Sequence, residues 1–542
     1  MRGVVSGAGS LVITGAGETS LLGNNTFTGA VSVLQGSLQV GHNNALGAVS
    51  GSTAVRSGAA IIFNAAGLVV AENIALAPGA QISSVTGANQ ITGTLTLLGP
   101  GLSVASCTST LDLAGVVSGA GSLGKIGAAD LTFSGLAANT FTGGFVLNEG
   151  VARLQKTAGV VALPGPVWIG DGIGPDELRL INANQIADAA TLIIASGGTF
   201  NCNNLSETIA ALQMTEGTVS TGTGTLTLDG TLTTFAAANT ATINGNLAVK
   251  APASTSRIWT IADGTATDDL TVNAVVSSSP STVSLELSGS GRPRFTAANT
   301  ISNVIISNGT AIFTGTNAST RITLNGGTLG GTGTVSDIAS NSVGGTVSPG
   351  TGAGILSAAT KVVWNSQVVF TVELSSAATY DRLNAAGPIT LGNATLNLSL
   401  GFTPAVGQTF LILRNTGSGS IAGQFTGLPE GAFLAISPAH IFQITYAGGD
   451  GNDIVLTRVA GIAPQFSSLT IIPGTGQNLG LEVVTFKGVG MPGLDYQLET
   501  SEDLVNWLTE STQSASLTTG ALQFVFTQTP GIPQMFFRLR LP

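Results

Sequence analysis

The sequence predicts an all-β protein: a right-handed parallel β-solenoid (β-helix) carrying a C-terminal β-sandwich domain. Three observations lead there. Glycine is abundant and charge is scarce, with 75 Gly among 542 residues and only 8% charged side chains. Soluble domains average near 7% Gly and about 25% charged residues. Apolar and polar residues alternate with period two in short runs, and whole strings recur far apart in the chain.

The recurrences come first in the chain. GVVSGAGSL occurs at Gly3–Leu11 and again at Gly115–Leu123; NTFTG occurs at Asn25–Gly29 and Asn139–Gly143. A looser echo runs from Phe295 to Gly315. Between these markers the period is two: Leu226 and Leu228 share one face and Thr225 and Thr227 the other, and Leu396, Leu398 and Leu400 repeat the pattern, as does Thr92–Leu97. Strict alternation bounded by Gly and Asn reads as half-buried strands with tight turns. The one helix-like run, Asn184–Ala190, is short. Strands every ten residues or so, over a length no single sandwich or barrel sustains, point to stacked coils of roughly 20–25 residues. Right-handed crossovers are the general preference, which sets the expected hand. Residues 1–358 are read as solenoid repeats, 359–458 as a module that closes the solenoid, and 464–542, where Phe and Trp become denser, as six short strands of a sandwich.

Several function classes are excluded by composition. A net charge of −10 argues against a nucleic-acid partner. The most apolar stretch, Ala59–Ile82, is broken by Asn64, Glu72, Asn73 and Pro78, so no transmembrane helix is expected. Residues 1–30 show neither a charged n-region nor an apolar h-region. Two cysteines are too few for a disulfide scaffold; Cys107 and Cys202 are read as buried small hydrophobes several coils apart.

The repeat units at Gly7–Gly41 and Gly119–Gly150 resemble the autotransporter-associated β-strand repeat family of bacterial secreted and surface proteins. Ile169–Leu180, Asn184–Phe200 and Leu205–Leu212 continue the likeness. Gly326–Leu356 resembles the last coils of such passengers, and Tyr380–Thr457 the module that closes them. Tyr496–Trp507 and Met535–Arg540 resemble a short C-terminal β-domain of Verrucomicrobia-type secreted proteins. The family's membrane β-barrel has no counterpart, since about 80 residues cannot supply a dozen strands. The resemblance implies an extracellular or cell-surface location.

Candidate chemistry is sparse. GGDGNDIVL (Gly448–Leu456) matches the calcium-binding nonapeptide of β-rolls, with Asp450 and Asp453 as metal ligands. A single copy equally suits a hairpin joining Phe442–Tyr446 to Ile454–Thr457. Calcium is thus the one possible cofactor. Asp171, Asp176 and Glu177 form an acidic patch, as do Glu499, Glu502 and Asp503, yet Lys and Arg total only 18 and no window is read as combining them with several acids. A glycosidase needs two placed carboxylates. His42 and His440 have no nucleophile elbow nearby and read as turn or surface residues. Trp168, Trp259 and Trp364 could stack on sugars but read rather as residues that anchor the core or pack under turns, and Trp507 as the seat of the C-terminal core.

No catalytic residue is assigned. The expected function is a non-enzymatic, secreted or surface-displayed solenoid: a structural spacer, adhesin scaffold or extracellular fibre subunit. Its partners would be extracellular matrix, polysaccharide or itself, because Met1-Arg2 stands where the second repeat has a strand (Leu111–Ala114) and an open coil invites head-to-tail filaments. The alternative is a polysaccharide-acting lyase or hydrolase on the same β-helix.

Overall fold

The structure, a computed structural model, describes residues 1–437, 440–531 and 534–541. Pro542, the last residue assigned to the sandwich, lies outside the described residues. The chain divides into two compact units, Met1–Thr320 and Arg321–Pro542.

Met1–Thr320 is a parallel β-solenoid. Leu11 pairs with Val31, Val31 with Thr53, Thr53 with Ile74, Ile74 with Leu95 and Leu95 with Val117, each strand laid in parallel on the one a coil earlier. The step along the chain is not constant. Leu285 pairs with Val304 across a short coil, whereas Leu247 pairs with Val276 across a much longer one. Extra residues leave the coil as turns or, between Ser220 and Thr225, as a shift in the ladder's register. Alternation works as the sequence predicts: Leu226 and Leu228 are fully buried while Thr225 and Thr227 are half-buried. Aromatic rings stack inside like the strands that carry them, with Trp259, Phe295 and Phe313 spaced 6.3 and 4.8 Å between ring centres.

The repeated strings turn out to be partners in space. Asn25 accepts the Val5 N–H through Oδ1 (2.9 Å) and donates through Nδ2 to the Ala45 carbonyl (2.7 Å). Asn139 does the same with Val117 (2.9 Å) and Ala162 (2.8 Å). Val5 and Val117 hold the same place in GVVSGAGSL, and Asn25 and Asn139 open NTFTG. Thr26 and Thr28 donate their N–H groups to the Val5 and Gly7 carbonyls, and Thr140 and Thr142 to those of Val117 and Gly119. A carboxamide is both donor and acceptor, so one buried Asn satisfies the coil before it and the coil after it. Phe27 and Phe141 follow two positions later and fill the interior. The closing Gly of each motif has no room for a side chain: a Cβ on Gly29 would fall 2.2 Å from the Gly9 carbonyl oxygen, and one on Gly143 2.5 Å from the Gly121 carbonyl carbon. A third clamp, Asn299, accepts the Val276 N–H (2.7 Å) and donates to Asn317 Oδ1 (2.7 Å). Its partner string is AVVS at Ala274–Ser277, where Ala replaces the Gly that made the first two copies recognisable.

Arg321–Pro542 begins with parallel coils and ends antiparallel. Phe370 pairs with Leu396, and Leu383 with Leu413, in parallel. Within Thr395–Leu400, Leu396 and Leu398 are buried and Leu400 is half-buried. Strand Thr409–Asn415 is the pivot: it lies parallel to Arg382–Ala385 and antiparallel to Asp453–Val459. Asp453–Val459 then pairs antiparallel with His440–Gly448, and that strand with Phe433–Ser437.

The C-terminal domain has the expected six strands in two antiparallel sheets. One orders Gln465–Pro473, Glu482–Val489 and Ala521–Gln528; the other orders Leu508–Ser514, Asp495–Ser501 and Phe536–Arg540. Val484, Phe486, Leu522 and Phe524 from the first sheet meet Tyr496 and Leu498 from the second, joined by Ile441 of the preceding hairpin. The only helical turn among the described residues is Gly476–Asn478. Trp507 does not seat this core. It is half-buried, donates Nε1–H to the Leu504 carbonyl and lies under the Arg538 guanidinium at 4.0 Å. Tyr496 takes the central place instead, its buried hydroxyl accepting the Met491 N–H at 2.8 Å.

Candidate functional site

The acidic patch at Asp171–Glu177 lies beside a groove. Strand Val167–Ile169 ends at Gly170, and Gly170, Gly172 and Gly174 all take positive φ, which an L side chain rarely adopts. This turn, with Asp171 accepting the Ile173 N–H (2.8 Å), borders a groove of about 640 Å³. Ile126, Val151 and Ile173 give it apolar walls, and Glu149, Asp171 and Glu177 supply carboxylates. The volume is within the usual range for small-ligand clefts, about 300–1,000 Å³. The coil lengthens here: more chain separates Ala152 from its neighbour Leu178 in the next coil than separates Leu131 from Ala152 in the coil before.

The sequence reading missed the basic half of this region. Coil stacking brings Lys125 to Glu149 and Arg153 to Asp130, residues distant in sequence, whereas Arg179 meets Glu177 within its own strand. Arg153 pairs with Asp130 (2.5 Å); Arg179 pairs with Glu177 (2.7 Å), which also accepts from Asn201 (2.6 Å). Lys125 is fully buried and donates Nζ–H to the carbonyls of Gly127 and Glu149, while the Glu149 carboxylate accepts the Gly127 N–H. Burial pulls the Lys125 ammonium below its ordinary range, against the upward pull of surrounding acids that include Asp176. A short sequence window contains the Arg179–Glu177 pair but not the Lys125–Glu149 and Arg153–Asp130 contacts, which coil stacking makes.

Asp176 points into the coil rather than the groove. It is 1% exposed and stands in register between Gly150 and Gly198. Neither carboxyl oxygen makes a hydrogen bond of ordinary geometry. Burial, then the nearby Asp171 charge, push it up to about 6; the backbone N–H groups of Asp171 and Gly150 and the Lys125 charge oppose this. Two further buried acids escaped the sequence reading. Glu72 accepts from Thr53 Oγ1 (2.8 Å), and Glu207 accepts the N–H groups of Gln185, Ile186 and Thr208. Burial pushes both up to about 7, opposed by those same hydrogen bonds. Their inward positions in the alternation were the available signal.

The remaining candidates are dispersed. Gly448–Asp453 forms a hairpin turn closed by the Gly451 N–H on the Gly448 carbonyl (2.8 Å). Asp450 is exposed at its tip, whereas buried Asp453 accepts the Asn415 N–H (2.8 Å). Among the described residues, no group of three or more His, Cys, Asp and Glu stands together to hold a metal ion. His42 Nδ1 accepts the Asn44 N–H (3.1 Å), and His440 Nδ1 faces Ser437 Oγ (3.0 Å). Cys107 and Cys202 are free and fully buried, with burial raising both thiols above their ordinary range. Trp259 and Trp364 are core residues; Trp168 is half-buried. No described helix is long and apolar enough to cross a membrane. No family model, curated protein or solved structure matches the chain.

Proposed function

We propose that this β-solenoid is a non-enzymatic scaffold of the passenger type, secreted or displayed at a cell surface as a spacer or adhesin support. One observation carries the reading: apart from Asp176, the acidic and basic solenoid side chains described above are committed to bonds within and between the coils. Lys125 closes carbonyls, Glu207 and the Asn clamps hold N–H groups, and Arg153 and Arg179 are already paired. A catalytic acid must reach substrate, and Asp176 is buried away from solvent. The resemblance of the Asn25–Gly29 and Asn139–Gly143 repeats to autotransporter-associated strands supports the location. Outward Thr, Ser and Asn rows suit weak, multivalent contact with polysaccharide or matrix.

The groove beside Asp171 favours a second reading, a polysaccharide-acting enzyme, because the carboxylates of Glu149, Asp171 and Glu177 do converge there from neighbouring coils. The two readings part on turnover. Purified full-length chain, incubated with a panel of neutral and uronate polysaccharides, is expected to leave their size distribution and reducing ends unchanged. Cleavage that disappears in Asp171→Ala or Asp176→Asn would overturn the scaffold reading in favour of the enzyme.

A further inference from the structure

The C-terminal sandwich is incomplete along one edge. In its first sheet, Val484 and Phe486 are buried, 0% and 4% exposed. Their cross-strand neighbours Ile471 and Leu469 lie on the same face yet are 48% and 49% exposed. Phe466 shares that face, its ring 5.0 Å from Phe486, and is 46% exposed. The second sheet therefore stops short: Phe537 of its edge strand packs on Phe486 and Phe526, and nothing among the described residues covers the Gln465–Pro473 strand. That strand also ends its own sheet, so one row of its backbone N–H and C=O groups has no strand partner.

We propose that Gln465–Pro473 docks a second copy of this chain, strand on strand, antiparallel about a two-fold axis. Charge admits a second copy as the occupant. The chain carries −10 overall, yet this strand, QFSSLTIIP, includes no charged side chain. Two copies thus meet here without repulsion, and the charges that usually guard an exposed edge are missing. The two-fold axis places Leu469 and Ile471 of both copies on one face, turning two uncovered strips into one shared apolar floor under a six-stranded sheet. The irregularity between Phe466 and Ser468, and Pro473 at the other end, confine regular pairing to Ser468–Ile472. One short strand per partner buries less than the roughly 800 Å² typical of a stable interface, so the pairing is weak and concentration-dependent. An isologous contact of this kind closes at two copies and does not propagate.

Cysteine scanning on the full chain tests this, because Cys107 and Cys202 are both fully buried and free, leaving an introduced thiol to report. Ser468→Cys, Thr470→Cys and Ile472→Cys are oxidised mildly, and sedimentation velocity is run from about 5 to 200 μM, a span suited to a weak contact. The expected result is a covalent dimer from at least one of the three and a monomer–dimer shift with concentration. Adding Leu469→Lys and Ile471→Lys, both at half-exposed positions, should weaken association by about tenfold or more. The proposal fails if the unmodified chain stays monomeric over the whole range. It fails equally if Thr512→Cys, on the far edge strand Leu508–Ser514, cross-links as well, or if the two lysines leave association unchanged.

Discussion

A side chain turned inward in Met1–Thr320 has a strand of the coil before it on one side and a strand of the coil after it on the other. Val31, Leu226 and Trp259 are accordingly sealed from water. In the sandwich, burial lasts only as far as the second sheet extends: Phe486 is covered and its cross-strand neighbour Leu469 is not. Both regions use the same alternation, so alternation alone does not decide coverage. In a solenoid each strand is covered by repetition, and the cost is that every coil must match its neighbours in register and in backbone approach. A sandwich tolerates local misfit but leaves edges.

That difference predicts where substitutions hurt. The largest effect should come from Gly143→Val, because a Cβ there would overlap the Gly121 backbone and the two coils cannot separate without breaking the ladder. A loss of about 4 kcal/mol or more, or failure to fold, is expected in urea unfolding. Gly15→Ala, whose Cβ meets nothing within 4 Å, and Ile472→Ala in the open sandwich strand should each cost under about 1 kcal/mol. Equal sensitivity at the three positions would break the contrast. Asn139→Leu comes next: it strands the Val117 N–H and the Ala162 carbonyl inside the coil, at about 1–3 kcal/mol for each. Asn139→Asp should remain costly, since a carboxylate cannot donate to Ala162.

The strands and their inward faces were legible because period-two alternation is local: Leu226, Leu228, Leu396 and Leu398 are all buried as their spacing predicts. The repeats were legible as text, but their meaning was not. Only stacking shows that Asn139 binds Val117, a full coil away and never aligned with it in a linear reading. The same geometry hid Glu149 from Lys125 and Asp130 from Arg153 in a search over adjacent residues, although Arg179 stands two residues from its partner Glu177. Coil length also varies along the ladders, shorter from Leu285 to Val304 than from Leu247 to Val276, so no fixed period would have retrieved them. Trp507 was misplaced for a different reason. An aromatic in a small β-domain is usually core, but here the turn at Ser501–Asn506 holds it at the edge.

Acid–base behaviour should separate the two regions in sign. Glu72 and Glu207, raised from 4.5 to about 7, keep protons in the folded solenoid that the unfolded chain has already released. Their stabilising contribution is full below about pH 4.5 and is lost as pH rises through 7, an effect of at most about 3 kcal/mol each. Asp176, raised to about 6, adds in the same direction. Lys125 and Lys156 are lowered, so their slope is opposite: folding regains stability as pH climbs toward their ordinary value of 10.5. In the sandwich, the N–H groups of Asn506 and Val505 hold exposed Asp503 below the ordinary carboxylate range, a contribution present at neutral pH and lost only in acid. Calorimetry from about pH 5 to 7.5 should therefore show the solenoid transition moving down while the sandwich transition holds. Glu72→Gln with Glu207→Gln should flatten the solenoid's slope. A solenoid transition that climbs over that interval would refute the assignment.

The smallest effect concerns how each region treats a tryptophan. Trp259 is fully buried, stacked near Phe295, and has no free surface to protect. Trp507 has a guanidinium for a lid: Arg538 sits 4.0 Å from the ring centre while its Nε bonds buried Glu499 at 2.5 Å. Arg540 also reaches Glu499, at 3.6 Å, so removing Arg538 does not leave that carboxylate without a cation. Arg538→Ala should then cost only about 1 kcal/mol, the scale of a partly exposed cation–π contact plus one shared ion pair. Its more telling consequence is spectroscopic. Trp507 emission should shift to the red and become accessible to iodide, while the buried Trp259 and Trp364 remain silent. An unchanged spectrum would mean that the turn at Ser501–Asn506, through the Trp507 Nε1–H bond to Leu504, holds the indole by itself and that the arginine is incidental.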